Sequence, residues 1–327
     1  MGTAQCPQAA SRADVRLGPS RRSSEPAPAL RHPVGMSLRA AAWHRARTFH
    51  HHAFSPARLA SERTTTVSVC LPARDEERTI GPILESLLPL QASGVVDQIV
   101  VVDDSRDCTA AIARSLGIEV HEQSSLMPEL GPVLGKGDAM WRALRTLTGD
   151  VVCFLDADSE CFGAHYVCGL IGPLLLMPGV QFVKGFYRRP FRIAGVTVPD
   201  EGGRVTELTA RPLLNAFYPD LGAVEQPLAG EVAARRELLD RLPFVTGYGV
   251  DVALLLDAYL DAGLDGLAQV DLDVRQNAHQ PLRELGPMAS DVLQAVASRL
   301  VRDGRLVGPL PAQAVERPPL VLSRAAA

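Results

Sequence analysis

Residues 66–158 switch repeatedly between continuous apolar runs and amphipathic runs, and few folds accept that order. TVSVCLPA (66–73), DQIVVVDD (97–104), IEVHE (118–122) and DVVCFLDAD (150–158) are short and rich in β-branched residues. Between them, RTIGPILESLLPL (78–90) repeats apolar residues at Ile80, Ile83, Leu84, Leu87 and Leu88, a helical spacing. TAAIARSLG (109–117) reads as a helix closed by Gly117, and GDAMWRALRTL (137–147) as another. Strand and helix alternating in this way predict an α/β domain with a Rossmann-like, mostly parallel sheet flanked by helices. Strands buried on both faces read as unbroken apolar runs. In such sheets ligands bind beyond the carboxyl ends of the strands.

Those ends are where the polar residues fall. VVCFLDADSE (151–160) runs a greasy strand directly into Asp156 and Asp158, which the alternation at a strand end aims the same way. PARDEE (72–77) follows the first strand and DDS (103–105) the second. Paired carboxylates at that edge have two uses: hard oxygen ligands for a divalent cation, or acid and base. D-x-D alone recurs in many chains; its weight here comes from its place. A cation there would bind a diphosphate. Lys136 in GPVLGKGDAMW (131–141) adds a point charge, and Gly135 and Gly137 let backbone approach an anion. The segment is neither G-x-x-x-x-G-K-[ST] nor G-x-G-x-x-G, which disfavours an ATPase and a dehydrogenase.

The net charge of −4 gives no global pull toward nucleic acid. Six scattered cysteines, none in a C-x-x-C pair, fit neither a zinc knuckle nor a disulfide framework, and point to the reducing cytoplasm. YVCGLIGPLLLMPGVQFV (166–183) is long enough to cross a membrane, but Pro173, Pro178 and Gly179 interrupt it. It reads instead as a buried helix ending near Met177, then a strand from Val180, so no membrane span is expected. Residues 1–62 are rich in Ala, Arg, Ser and Pro with little periodicity and read as a disordered, Arg-rich leader. His50, His51 and His52 invite a metal assignment, but a flexible leader cannot position ligands, so the run is read as incidental.

The ordered motifs PARDEE, DDS, GKGDAMW and DAD resemble those of nucleotide-sugar glycosyltransferases with the GT-A fold. GFYRRP (185–190), GGRVTELTARPLL (202–214), QPLAGE (226–231), LPFVTGYGVDVALLLD (242–257) and GLAQVDLDVRQNAHQPLREL (266–285) resemble, more narrowly, the retaining glucosyl-3-phosphoglycerate synthase family. The likeness covers about residues 66–300. It implies a nucleotide-sugar-binding subdomain over 63–185, an acceptor-binding, partly helical subdomain over 186–302, and a flexible tail over 303–327. The reaction it implies is transfer of glucose from UDP-glucose to the 2-hydroxyl of 3-phosphoglycerate by a homodimer using Mg2+ or Mn2+. Alternatives are GDP-mannose or GDP-glucose as donor, glycerate as acceptor, or a non-catalytic sugar-nucleotide-binding relative.

By the same resemblance, Pro72, Ala73, Arg74 and Glu76 cradle the uracil and ribose, and Asp75 stands where the family has Asn. Asp104 contacts the donor from a loop one residue shorter than the family's, and Lys136 lies near base and diphosphate. Asp156, Ala157 and Asp158 form the metal motif, with Asp158 the direct ligand. Gly203, Arg204 and Thr206 hold the acceptor's phosphate and carboxylate. Tyr248 and Asp251, the latter replacing Glu, fall near sugar and acceptor, and Arg275 near the diphosphate. The family's His-x-Asn is reversed here to Asn277 and His279, so either the Asn277 carbonyl completes the metal site or His279 swings in from the acceptor side.

Overall fold

The computed structural model describes residues 37–325, apart from 194–195, 199–202, 276–280 and 309–313. Its strands, in chain order, are β1 (Thr48–His50), β2 (Val67–Ala73), β3 (Gln98–Asp103), β4 (Glu119–Glu122), β5 (Val151–Phe154) and β6 (Phe182–Arg188). Then come β7 (Phe191–Ile193), β8 (Val196–Val198), β9 (Val232–Arg235), β10 (Phe244–Val245), β11 (Leu267–Val274) and β12 (Glu316–Arg317). The helices are α1 (Leu38–Arg47), α2 (Pro56–Glu62), α3 (Ile80–Ala92), α4 (Thr109–Ser115), α5 (Lys136–Ala143) and α6 (His165–Leu176). The second half adds α7 (Arg211–Phe217), α8 (Arg236–Arg241), α9 (Val250–Ala262), α10 (Leu282–Arg302) and α11 (Leu320–Ala325).

One eight-stranded sheet runs in the order β1-β11-β6-β9-β5-β2-β3-β4. Its neighbours are parallel except around β9, which pairs antiparallel with both β5 and β6. Strand periodicity sorts the side chains of β2, β3 and β5 onto two faces. Cys70, Val100, Val102, Val152 and Phe154 join the core with α5, α9 and α10. Val69, Leu71, Ile99, Val101 and Cys153 join the opposite core with α3, α4 and α6. Each such Val, Leu or Phe contributes about 1.5–3 kcal/mol by leaving water. β6, β9 and β11 come from the second half of the chain, so both halves share one sheet. Among the described residues no helix is long and apolar enough to cross a membrane. The 166–183 stretch divides between α6, with Pro173 inside it, and β6.

Residues 37–62 depart from the expected leader. Ser37 caps α1 by accepting from the Ala40 N–H at 3.0 Å. Trp43 is buried and its indole N–H donates to the Leu267 carbonyl at 2.9 Å. β1 extends the main sheet by pairing in parallel with β11, and Leu59 of α2 is fully buried. The anchors are Trp43, Phe54 and Leu59, too widely spaced among Ala, Arg and His to set up a period. Part of the expected flexible tail is also tied down. β12 pairs antiparallel with β10, Arg317 bonds the buried Asp138 at 2.7 Å, and Leu320 is buried.

Candidate active site

A cavity of about 700 Å³ opens along the carboxyl edge of the sheet. Pro72, Ala73, Arg74, Glu76, Asp104, Lys136, Asp156, Ala157 and Asp158 line one end, and Gly203, Arg204, Thr206, Tyr248, Asp251 and Arg275 line the rest. Asn277 and His279 lie outside the described residues.

Local backbone chemistry builds the first end. After β2 the chain turns sharply at Asp75, whose φ of 58° is left-handed. Among side-chain residues Asn and Asp adopt this conformation most readily, which suits Asp75 to a position where the family carries Asn. The Asp75 carboxylate accepts the Arg106 N–H at 2.8 Å, and the Ser105 hydroxyl accepts the Asp75 N–H at 2.7 Å. Thr79 donates to the Ala157 carbonyl at 2.7 Å, joining the β2 loop to the D-x-D segment. Lys136 opens α5, whose first turn lies against β10. A Cβ on Gly137 would sit 1.8 Å from the Val245 carbonyl oxygen, so only glycine allows that approach.

Four carboxylates and three cations mesh at the centre. The Lys136 ammonium bonds Asp156 at 2.6 Å and Asp251 at 3.2 Å. The buried Arg275 guanidinium reaches Asp156 at 3.0 Å, Glu231 at 2.7 Å, and Asp158. Lys184, on β6, donates to the Asp251 carbonyl at 3.0 Å. Burial opposes charge on Asp156, but the Lys136 and Arg275 cations overcome it and hold its carboxyl well below the ordinary range. Burial lowers Lys184 to about 8, against the pull of Asp251. Burial, then the Asp158 charge, lifts Glu76 to about 7. Gly230 packs so closely that a Cβ there would fall 2.1 Å from an Asp156 carboxylate oxygen.

Beyond the mesh, Gly203 precedes a turn that runs into the π-helical segment Thr206–Ala210, which leads into α7. π-type turns gather at functional sites. Arg204 and Thr206 line the cavity here, as does Arg189, stacked 5.4 Å over the Tyr187 ring.

Sequence reasoning missed Glu231, Tyr187, Lys184 and Arg189. The segments GFYRRP, just after Lys184, and QPLAGE stood out, but no spacing rule marks these four residues. Tyr187 donates to Glu231 at 2.8 Å and lies 2.7 Å from Arg275, so it ties β6 into the mesh.

The donor set fits a divalent cation. Asp156 and Asp158 supply hard oxygens at the cavity wall, and the Asp158 side chain is 42% exposed. The remainder of the cavity, with Lys136, Arg189, Arg204 and Arg275, suits anionic groups.

Residues 68–174 match the sequence model of Glycosyl transferase family 2. The chain is 46% identical over 241 residues to glucosyl-3-phosphoglycerate synthase of Mycolicibacterium smegmatis, covering 73% of this chain and 79% of that protein. Mannosyl-3-phosphoglycerate synthase of Rubrobacter xylanophilus superimposes with a TM-score of 0.80 at 43% identity, over 87% of this chain and 98% of that one. Glucosyl-3-phosphoglycerate synthase of Mycobacterium tuberculosis, crystallised with Mn2+, UDP-glucose and phosphoglyceric acid, gives a TM-score of 0.75 at 40% identity, over 85% and 99%. Fold, strand-end motifs and overall likeness agree, and the chain belongs to the glucosyl-3-phosphoglycerate synthase family of GT-A glycosyltransferases.

Proposed function

We propose that this protein transfers glucose from UDP-glucose to the 2-hydroxyl of 3-phosphoglycerate, with retention at the anomeric carbon. The observation that carries this reading is a single cavity joining the D-x-D carboxylates and Lys136 to the Arg204 and Thr206 turn. The M. tuberculosis relative, with both substrates and Mn2+ in its crystal structure, supports it.

In this reading Pro72, Ala73, Arg74, Glu76 and Asp104 hold the uridine end, and Lys136 orients the diphosphate. Asp158, with Asn277 or His279, holds Mg2+ or Mn2+. The cation, when bound, stabilises charge developing on the departing diphosphate. Gly203, Arg204 and Thr206 grip the acceptor's anionic groups, and Tyr248, Asp251 and Arg275 position sugar and diphosphate. Lys136 bonds the Asp251 carboxylate, and Lys136 and Arg275 bond that of Asp156. Neither carboxylate is therefore poised as a covalent nucleophile, which favours same-face attack with the leaving diphosphate taking the acceptor proton. The chain's contribution is positioning and preorganised charge.

The test is a product assay on purified protein with UDP-glucose and 3-phosphoglycerate, with Mg2+, with Mn2+ and with a chelator. Metal-dependent UDP release that requires the acceptor, and an α-linked product by NMR, is expected. Tight UDP-glucose binding without turnover would instead point to a non-catalytic relative. The likeness to the R. xylanophilus enzyme favours a second reading, mannosyl transfer, so GDP-mannose and GDP-glucose belong in the same assay. The homodimer that the family resemblance implies would be tested by light scattering after gel filtration.

A further inference from the structure

The histidine run that looked incidental lies in an ordered segment. His50 ends β1, and His51 and His52 open the turn after it. Their rings contact one another with centroids 4.1–4.5 Å apart, and a fourth imidazole, His165 at the start of α6, lies 4.5 Å from His51. Asp273, near the end of β11, bonds His51 at 2.7 Å and His50 at 3.3 Å.

Asp273 is held for this contact. Its φ of 71° is left-handed, an uncommon conformation that persists when surroundings over-determine it. The β11–β6 register breaks between Asp271 and Val274, and the Asp273 N–H donates to the Asp271 carboxylate at 2.9 Å. His51 is only 8% exposed.

We infer that His51, His165 and Asp273, with His52 or His50 as a further ligand, form a site for a borderline divalent transition cation of the Zn2+ class. Donor atoms of His51, His165 and Asp273 all lie within 4.8 Å of one another, as do those of His50, His51 and His52. Four-coordinate Zn2+, with bonds of about 2.0–2.1 Å, sets its donors about 3.3 Å apart. The His51–Asp273 contact of 2.7 Å, the His50–Asp273 contact of 3.3 Å and the grouping of the His165 donor within 4.8 Å of His51 and Asp273 are compatible with that spacing. Imidazole and carboxylate ligands suit Zn2+, Co2+ or Ni2+, whereas Mg2+ prefers oxygens alone. A cavity of about 340 Å³ lined by His51, His52 and His165 gives the ion a way in. It shares no lining residue with the 700 Å³ cavity. An ion here clips β1 to β11 two residues before Arg275, and so braces the strand that carries the guanidinium.

The test uses tag-free D158N protein, which removes the expected active-site ligand. Equilibrium dialysis with Zn2+, read by elemental analysis, is expected to find one ion per chain in D158N. In D158N/H51Q/H165Q, affinity should fall by more than the roughly 10–100-fold that losing an outer-shell partner costs. Folding of the triple variant is checked by circular dichroism. Co2+ bound to D158N itself should give the intense visible absorption of four-coordinate nitrogen and oxygen ligation, a readout that needs no histidine variant. No Zn2+ on D158N, undiminished Zn2+ on the folded triple variant, or a weak six-coordinate Co2+ spectrum would each overturn the site.

Discussion

Arg275→Met isolates what the guanidinium does for Glu231. Glu231 is 1% exposed and has two polar partners near it, Arg275 at 2.7 Å and the Tyr187 hydroxyl at 2.8 Å. Burial already raises its carboxyl above the ordinary 4.5, and Arg275 opposes that rise. Without the cation only the Tyr187 hydroxyl and the more distant Lys136 charge oppose the rise, and the carboxylate escapes burial by taking a proton. Holding a carboxyl neutral at pH 7 when the unfolded chain releases the proton near 4.5 costs at most roughly 3 kcal/mol. This agrees with the roughly 3–5 kcal/mol typical of breaking a buried ion pair from one side. Asp156 keeps Lys136, and Asp158 is open to water, so Glu231 dominates. The sign follows from proton counting. A folded-state pKa above the unfolded value means the native protein binds more protons, so its stability falls as pH rises from 4.5 toward the folded pKa. The deficit of the variant should therefore be largest at pH 7–8 and shrink toward pH 5. Adding E231Q should recover most of it. Urea unfolding at four pH values, followed by fluorescence of the buried Trp43 and Trp141, measures this. A deficit independent of pH and untouched by E231Q would refute the reasoning and leave Arg275 a packing residue over the Tyr187 ring.

Four further outcomes are expected. D158N should lower metal-dependent turnover on the order of 100-fold or more while barely moving the melting temperature, because its side chain is partly exposed; full activity would remove Asp158 from the metal site. E76Q should stabilise the ligand-free protein at pH 8 and not at pH 4, since Glu76 titrates near 7 when folded and near 4.5 when unfolded; thermal melts across that range decide it. Gly137→Ala should destabilise by about 1–3 kcal/mol and weaken UDP-glucose binding through displacement of Lys136, because the added methyl meets the Val245 carbonyl. Trp43→Ala should cost about 3–5 kcal/mol in urea unfolding, a loss a disordered leader would not show.

Three strands of the first half, β2, β3 and β5, were legible because each is a buried, apolar run that declares itself. Val67–Ala73, Gln98–Asp103 and Val151–Phe154 lie within the segments that their sequence pattern marked. The parallel rule then pointed to their carboxyl ends, where Glu76, Asp104, Asp156 and Asp158 line the cavity. β1 was not legible. Three residues, TFH, carry no period, and the strand exists because β11 offers an open edge and Trp43 anchors the helix before it. The same blind spot hid the histidine cluster, whose ligands come from residues more than 200 positions apart in the chain.

Glu231 escaped for a different reason, which lies in strand direction. A parallel strand delivers its last residues to the carboxyl edge, and that is where sequence reasoning looks for chemistry. β9 runs against its neighbours, with Val232 opposite Phe154 and Lys184. Its first residues therefore arrive at the edge where β5 and β6 end. Gly230 abuts the Asp156 carboxylate there, and Glu231, just ahead of β9, meets Arg275 from the end of β11. Nothing in VAAR announces its direction, since two neighbours bury it whichever way it runs. Reversing one strand thus places the start of a segment among the ends of others. It brings the second half of the chain into the site, and closes the charge mesh with a residue for which strand-end reading has no place.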